Sequence, residues 1–253
     1  MAAEQISQAP FYLDWQFWSA VASVLALVLS QLPPLYLVFR RAKLEAETYS
    51  HMHITHKVGN PNAQMHLLLS NTGGRAIRIR QIELNFRQDT GDSFNLPAKN
   101  YLQSPADKQA ILLASFKLKP GEEWGHIVNF LNFFSRQDDK LYRQLESNLR
   151  KDIMAKRDGL EDDNQMVTAD EANVKPLLDF FKQKFRWIPG EYEMTLSVKT
   201  EPKNAMEDKR YRITIFESDS QELADYQHDY KYGFGVSLDS SRHVGVIVPV
   251  SEA

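Results

Sequence analysis

No cysteine occurs among the 253 residues, so the chain has no disulfide framework and no thiolate nucleophile or soft metal ligand. Residues 1–16 contain neither Lys nor Arg, which excludes the basic leading region of a cleaved signal peptide. Positive charge is not in excess: 30 Lys and Arg against 33 Asp and Glu give a net charge of −3, which argues against nucleic acid as a partner. No G-x-S-x-G elbow, H-E-x-x-H pair or catalytic carboxylate frame is present. Gly73-Gly74 is followed by no Lys-Ser/Thr, so it is no phosphate loop. His51 and His53 share a strand face, with His56 and His66 nearby, but no Asp or Glu stands among them at ligand spacing. They are read as a polar strand face. Together these absences predict no catalytic residues, no metal site and no cofactor. They point away from an enzyme.

What the sequence does have is one long apolar run. Phe17 to Phe39 carries no charged residue, and Arg40, Arg41 and Lys43 follow directly. Twenty-three residues at ~1.5 Å each reach about 34 Å, which matches a bilayer core of about 30 Å. The expectation is a single transmembrane helix over 17–39, preceded by a short extracytoplasmic tail (1–16) and followed by a basic juxtamembrane linker (40–48). The one-sided basic flank, Arg40, Arg41 and Lys43, sets the N-terminus outside and the following domain in the cytoplasm. Ser19, Ser23, Ala26 and Ser30 fall on one helical face and allow close helix packing in lipid, with Gln31 as a hydrogen-bonding neighbour. Pro33 and Pro34 predict a kink.

Residues 49–253 read as one domain rich in strands. Met65, Leu67 and Leu69 lead into Asn71-Thr72-Gly73-Gly74, a hairpin signal, and Ala76–Phe86 follows. In that second segment Ile77 and Ile79 are odd-numbered, whereas Ile82, Leu84 and Phe86 are even-numbered. One face can hold both sets only with a β-bulge near Arg80-Gln81. Further strands are expected at 49–57, 110–119 and 125–130. Tyr192, Met194, Leu196 and Val198 then alternate with polar residues, as do Tyr211, Ile213 and Ile215, which predicts a hairpin with one buried face. Arg75, Arg78 and Arg80 offer a positive strand face for an anionic ligand or partner.

The Asn71-x-Gly73 turn, Phe116-Lys-Leu-Lys-Pro-Gly-Glu122 and the stretch Pro189-Gly190-x-Tyr192 through Val198 resemble the strand-and-corner pattern of immunoglobulin-like sandwiches. The resemblance implies a mainly β, immunoglobulin-like antiparallel β-sandwich, with Tyr192 as the tyrosine that pins a loop. No Cys-Trp-Cys signature accompanies it. A two-helix insertion is expected at about 135–187. Ser135 is a cap, Leu141, Leu145, Leu149 and Ile153 form a narrow apolar stripe, and a Phe-rich second helix covers a sheet edge. His243–Val250 reads as a terminal strand.

These readings predict a single-pass bacterial inner-membrane protein whose cytoplasmic domain is a non-catalytic binding or assembly module. Membrane lipid, a second copy of the chain and a protein partner are its expected contacts. One alternative is a membrane-perturbing or pore-forming effector whose cytoplasmic domain senses a ligand or partner, as in bacterial defence. Another is an exported envelope-assembly protein.

Overall fold

A computed structural model describes residues 15–31, 41–104, 106–107, 109–158, 166–238 and 244–253. In chain order the elements are α1 (Trp15–Gln31), β1 (Leu44–Thr48), β2 (His51–Lys57), β3 (Asn60–Asn71), β4 (Ile77–Gln88), β5 (Ser93–Leu102), β6 (Ile111–Leu112), β7 (Phe116–Leu118) and β8 (Glu123–Leu131). Then come α2 (Arg136–Arg157), α3 (Glu171–Lys184), β9 (Gly190–Glu201), β10 (Lys209–Ile215), α4 (Glu217–Asp225), a 3-10 helix (Tyr226–Tyr232) and β11 (Val246–Glu252).

The strands close into an antiparallel barrel of eight, in the order β5-β8-β3-β2-β11-β10-β9-β4 and back to β5, so the expected immunoglobulin-like sandwich is corrected. Two strands shared between the walls make the difference. β5 pairs with β4 through Ser93–Pro97, shifts register between Ala98 and Asn100, and continues against β8. β11 pairs with β2 through Val246–Pro249 and with β10 through Val250–Glu252. A sandwich leaves edges at those places, whereas here the backbone groups are paired around the ring. β1 and β7 extend the walls beside β3 and β4, and β6 lies outside β5. β1 falls within 40–48, the stretch read as linker.

Period-two alternation sets the barrel wall. In β3 the odd residues Ala63, Met65, Leu67 and Leu69 are buried, and in β9 Tyr192, Met194 and Leu196 are buried. The register of β4 on β9 shifts between Ile79 and Gln81, so Ile77, Ile79, Ile82, Leu84 and Phe86 all reach the core, as the parity change in the sequence requires. β9 and β10 form the expected hairpin. The Asn71–Gly74 connection does not. β3 pairs with β1, β2 and β8, and β4 pairs with β5, β7 and β9. Gly73 is needed for close approach instead, because a Cβ there would stand 2.4 Å from the Lys43 N and 2.5 Å from the Arg41 O.

The helices after β8, together with the β2–β3 turn, enclose a second core against one end of the barrel. It contains Val58, Tyr142, Leu149, Ile153, Leu177, Phe180, Phe181, Tyr226 and Tyr230. Ser135 caps α2 as expected, its hydroxyl accepting from the Asp138 N–H at 3.2 Å. On the α2 stripe Leu149 and Ile153 are buried, but Tyr142 takes the inward position that Leu141 was expected to hold. Trp187 plugs the barrel end, fully buried, with its indole N–H donating to the Thr55 carbonyl at 2.6 Å.

The transmembrane expectation is also corrected: among the described residues no helix is long and apolar enough to cross a membrane. α1 has 17 residues, about 26 Å at ~1.5 Å per residue. That is short of the bilayer core of about 30 Å that the apolar run was expected to cross. Pro33, Pro34 and Arg40 lie outside the described residues.

Candidate functional site

β2 and β3 are joined by a two-residue turn in which Val58 has φ 47° and Gly59 has φ 84°. Positive φ strains a β-branched residue. Val58 is nevertheless buried in the helical core, and a Cβ on Gly59 would meet the Phe181 O at 2.4 Å. The turn is therefore wedged against α3, and it holds its flanking residues, Lys57 and Asn60, at the seam between barrel and helices.

A cleft of about 550 Å³ opens at this seam, larger than three hollows elsewhere on the described surface of about 250, 360 and 470 Å³. The barrel supplies Lys57, Asn60, Asn62, Leu131 and Asn132, and the approach to α2 supplies Phe133, Phe134, Arg136, Asp139 and Arg143. Hydrogen bonds set the floor: the Asn60 side-chain amide donates to the Asn132 carbonyl at 2.7 Å, and the Asn132 amide donates to the Asn95 carbonyl. Phe134 is fixed by ring contacts to Tyr142 and Phe180 at 5.2 and 5.3 Å. Phe133 is not held in this way. It is 72% exposed, and the Lys99 ammonium lies 5.5 Å from its ring centroid.

The cleft's charge is uneven. Arg143 binds Asp139 at 2.8 Å and so is neutralised. Asp138, behind the rim, is held by Lys184 at 2.7 Å, and hydrogen bonds from Lys184 and Ser135 pull its carboxyl below the usual range. Lys57 and Arg136 have no carboxylate at ion-pair distance among the described residues. The Lys57 ammonium sits 5.1 Å from the Tyr142 ring centroid, a cation–π contact that leaves its charge intact. Burial, helped by Glu146, raises the Tyr142 hydroxyl to about 12, so that ring stays neutral beneath the lysine. The arrangement offers two uncompensated cations, an exposed aromatic ring and side-chain amides.

The residues singled out in sequence lie elsewhere. Arg80 is paired with Glu201 at 2.6 Å, Arg78 stands opposite Glu201 in the register, and Arg75 is exposed at the β3–β4 connection. Arg87–Glu193 at 3.1 Å and Lys199–Glu83 at 3.5 Å continue the pattern, which makes the outer face of β4 and β9 a ladder of ion pairs. Lys43 pairs with Glu45 at 2.6 Å, and the Arg41 carbonyl accepts from Gly74 N–H. Ser19, Ser23, Ala26 and Ser30 lie exposed on α1, where the Ser23 and Ser30 hydroxyls donate to the carbonyls of Ser19 and Leu27. Gln31 closes that helix.

The histidines divide by parity. His51 and His53 face outward, whereas His56, expected on the same polar face, points inward with Met52 and Ile54. Its Nε2 donates to the Leu223 carbonyl at 2.8 Å, and its Nδ1 accepts from the Gly59 N–H at 3.2 Å. The rings of Phe181, Phe185 and Tyr226 surround it at 5.2, 5.8 and 6.2 Å. No group of His, Asp and Glu suited to a metal ion occurs among the described residues. The cleft itself was missed in sequence. Its available signals were Asn60-Pro61-Asn62 beside a positive-φ turn and the aromatic pair Phe133-Phe134 directly before a helix cap.

No family model matches the sequence, and no curated protein matches it. Among solved structures, the chain is similar to the crystal structure of Spo0M, a sporulation control protein from Bacillus subtilis, at 12% identity and with a TM-score of 0.23. The match covers 69% of this chain and 48% of that one, so the chain spans about half that protein's length. A likeness at that TM-score carries no argument about fold or function.

Proposed function

We propose that this chain is a non-catalytic binding module whose recognition site is the cleft between the barrel and its helical cap. The observation that carries the reading is the composition of that cleft. Lys57 and Arg136 lack carboxylate partners among the described residues, and Phe133 is exposed beside them, at a place where two parts of the fold meet. Ligand sites favour such junctions, with an apolar lining and a few convergent polar groups. Photocrosslinking in the native host tests it. A photoreactive phenylalanine analogue at position 133 should capture a partner or ligand, and the same group at Arg87, within the ion-pair ladder, should not. Equal capture at both positions, or none from 133, defeats the proposal.

The proposal extends to a membrane-associated oligomer. α1 exposes Trp15, Trp18, Leu25, Leu27 and Leu29, and apolar surface of that extent is stabilised by lipid or by another copy of the helix. The Ser23 and Ser30 hydroxyls are satisfied within α1, and its face of small residues is suited to close helix packing. Arg40, Arg41 and Lys43 favour an anionic cytoplasmic leaflet. Flotation with liposomes should depend on residues 1–40; flotation of a chain without them counts against this part.

A further inference from the structure

We infer that the cleft binds a small organic anion bearing an aromatic ring, the ring stacking on Phe133 and the anionic group meeting Arg136 and Lys57. The inference rests on the proposal that the cleft is a recognition site and adds the chemistry of its ligand. Charge argues for the anion. With Arg143 neutralised by Asp139 and Asp138 by Lys184, the lining keeps the charges of Lys57 and Arg136. A guanidinium without a carboxylate partner offers its planar fork to a carboxylate or phosphate.

The aromatic part follows from Phe133 and its surroundings. Phe133 is 72% exposed while its neighbour Phe134 is partly buried against the second core, so the chain anchors one ring and leaves the other at the rim. Lys99 lies over Phe133 at 5.5 Å, and Leu131 continues the apolar surface into the cleft. An aromatic ring on such a platform gains offset or edge-to-face stacking. The Asn62 side-chain amide makes no hydrogen bond among the described residues and lies in the same lining, where it can donate to an ester or carboxylate oxygen. A volume of about 550 Å³ lies in the range of about 300–1,000 Å³ typical of small-molecule sites.

The test uses the full chain in mild detergent, with isothermal titration of phenyl phosphate, inorganic phosphate and benzyl alcohol. Phenyl phosphate should bind at least about tenfold more tightly than either fragment. Arg136→Gln and Phe133→Ser should each weaken it about tenfold, the equivalent of about 1.4 kcal/mol, while Arg87→Gln leaves it unchanged. Phenyl phosphate binding no better than inorganic phosphate overturns the aromatic part, and unchanged affinity in Arg136→Gln overturns the anion site. If all three probes fail while crosslinking from position 133 persists, the ligand chemistry is wrong and the recognition site stands. If crosslinking fails too, both are wrong.

Discussion

Lowering the pH from about 7.5 to about 5.5 offers a proton to a ring that has no place for it. His56 is buried; its Nε2 donates to Leu223 and its Nδ1 accepts from the Gly59 N–H. An imidazolium carries N–H on both nitrogens, so protonation sets Nδ1–H against Gly59 N–H. It also leaves a charge among Phe181, Phe185 and Tyr226, the one titratable group of these being the Tyr226 phenol. Burial pulls the His56 pKa below its ordinary 6.5, and the bond to Leu223 opposes this without reversing it. The unfolded chain takes up the proton near 6.5 and the folded chain does not. The stability is therefore present in full above 6.5 and is lost as pH falls from there toward the folded value. The loss is at most about 1.4 kcal/mol per pH unit. For each pH unit between the two values, wild type should therefore lose up to about 1.4 kcal/mol more than a variant that cannot titrate. His56→Gln is that variant, since Gln can keep the Nε2 donor to Leu223. Urea unfolding of the full chain, followed by Trp fluorescence across this pH range, gives the comparison. His126, whose pKa burial and the nearby His66 also lower, is common to both proteins and cancels. Parallel pH profiles for wild type and His56→Gln refute the reasoning.

Four further perturbations separate the devices that hold the fold. Trp187→Phe removes the donor to the Thr55 carbonyl while keeping an aromatic plug; a loss of about 1–3 kcal/mol is expected from the unsatisfied carbonyl, read by urea denaturation. Tyr192→Phe removes hydroxyl bonds to the Ile188 and Arg186 carbonyls at 2.7 and 3.2 Å; it should cost about 1 kcal/mol and speed amide exchange in the 186–190 connection. Gly73→Ala forces a Cβ into Lys43 N and Arg41 O; hydrogen exchange should show residues 41–48 released, at a cost of about 2 kcal/mol or more. Asp152 accepts from the Asp170 N–H at 2.6 Å and from Asn173 at 3.1 Å, and the Asp170 bond is the main reason its carboxyl lies below the usual range. Its contribution is present above the ordinary carboxylate pKa and fades as pH falls below about 4. Asp152→Asn should abolish that acid-limb loss and expose the first turn of α3 to exchange.

What the sequence made legible was what depends on near neighbours. The alternation of Tyr192, Met194 and Leu196 against Glu193 and Thr195 yields a strand with one buried face, and the parity change after Ile79 yields a bulge. Tyr192 pins its loop by the bond that the corner pattern implied, although the sheets around it close into a barrel. That device needs only a strand start and a preceding loop, so it does not discriminate between the two architectures. Closure depends on β5 and β11, each divided between two partners. β5 reads SFNLPAKNYL, and its Pro97 and polar residues signal a loop or edge rather than a strand. Gly73 misled because one residue type serves two purposes, positive φ and close approach, and the second depends on a segment thirty positions earlier, at 41–43.

The cleft was illegible for a related reason. Lys57–Asn62 and Leu131–Arg143 are joined through the pairing of β3 with β8, which sets Asn62 opposite Leu131. Neither segment carries a motif, because recognition of this kind needs complementary groups brought together rather than fixed spacing. His56 links the two scales. Counting by two from Met52 and Ile54 places it inside, yet only the fold shows that inside means the seam where β2, α3 and α4 meet. Its neighbours in the chain, Lys57 and Asn60, then line the cleft. A proton forced onto that imidazole in the folded chain breaks the Gly59 bond, and so disturbs the turn that positions both residues. Once the pH falls below the folded-state pKa of His56, phenyl phosphate should therefore bind more weakly to wild type and not to His56→Gln.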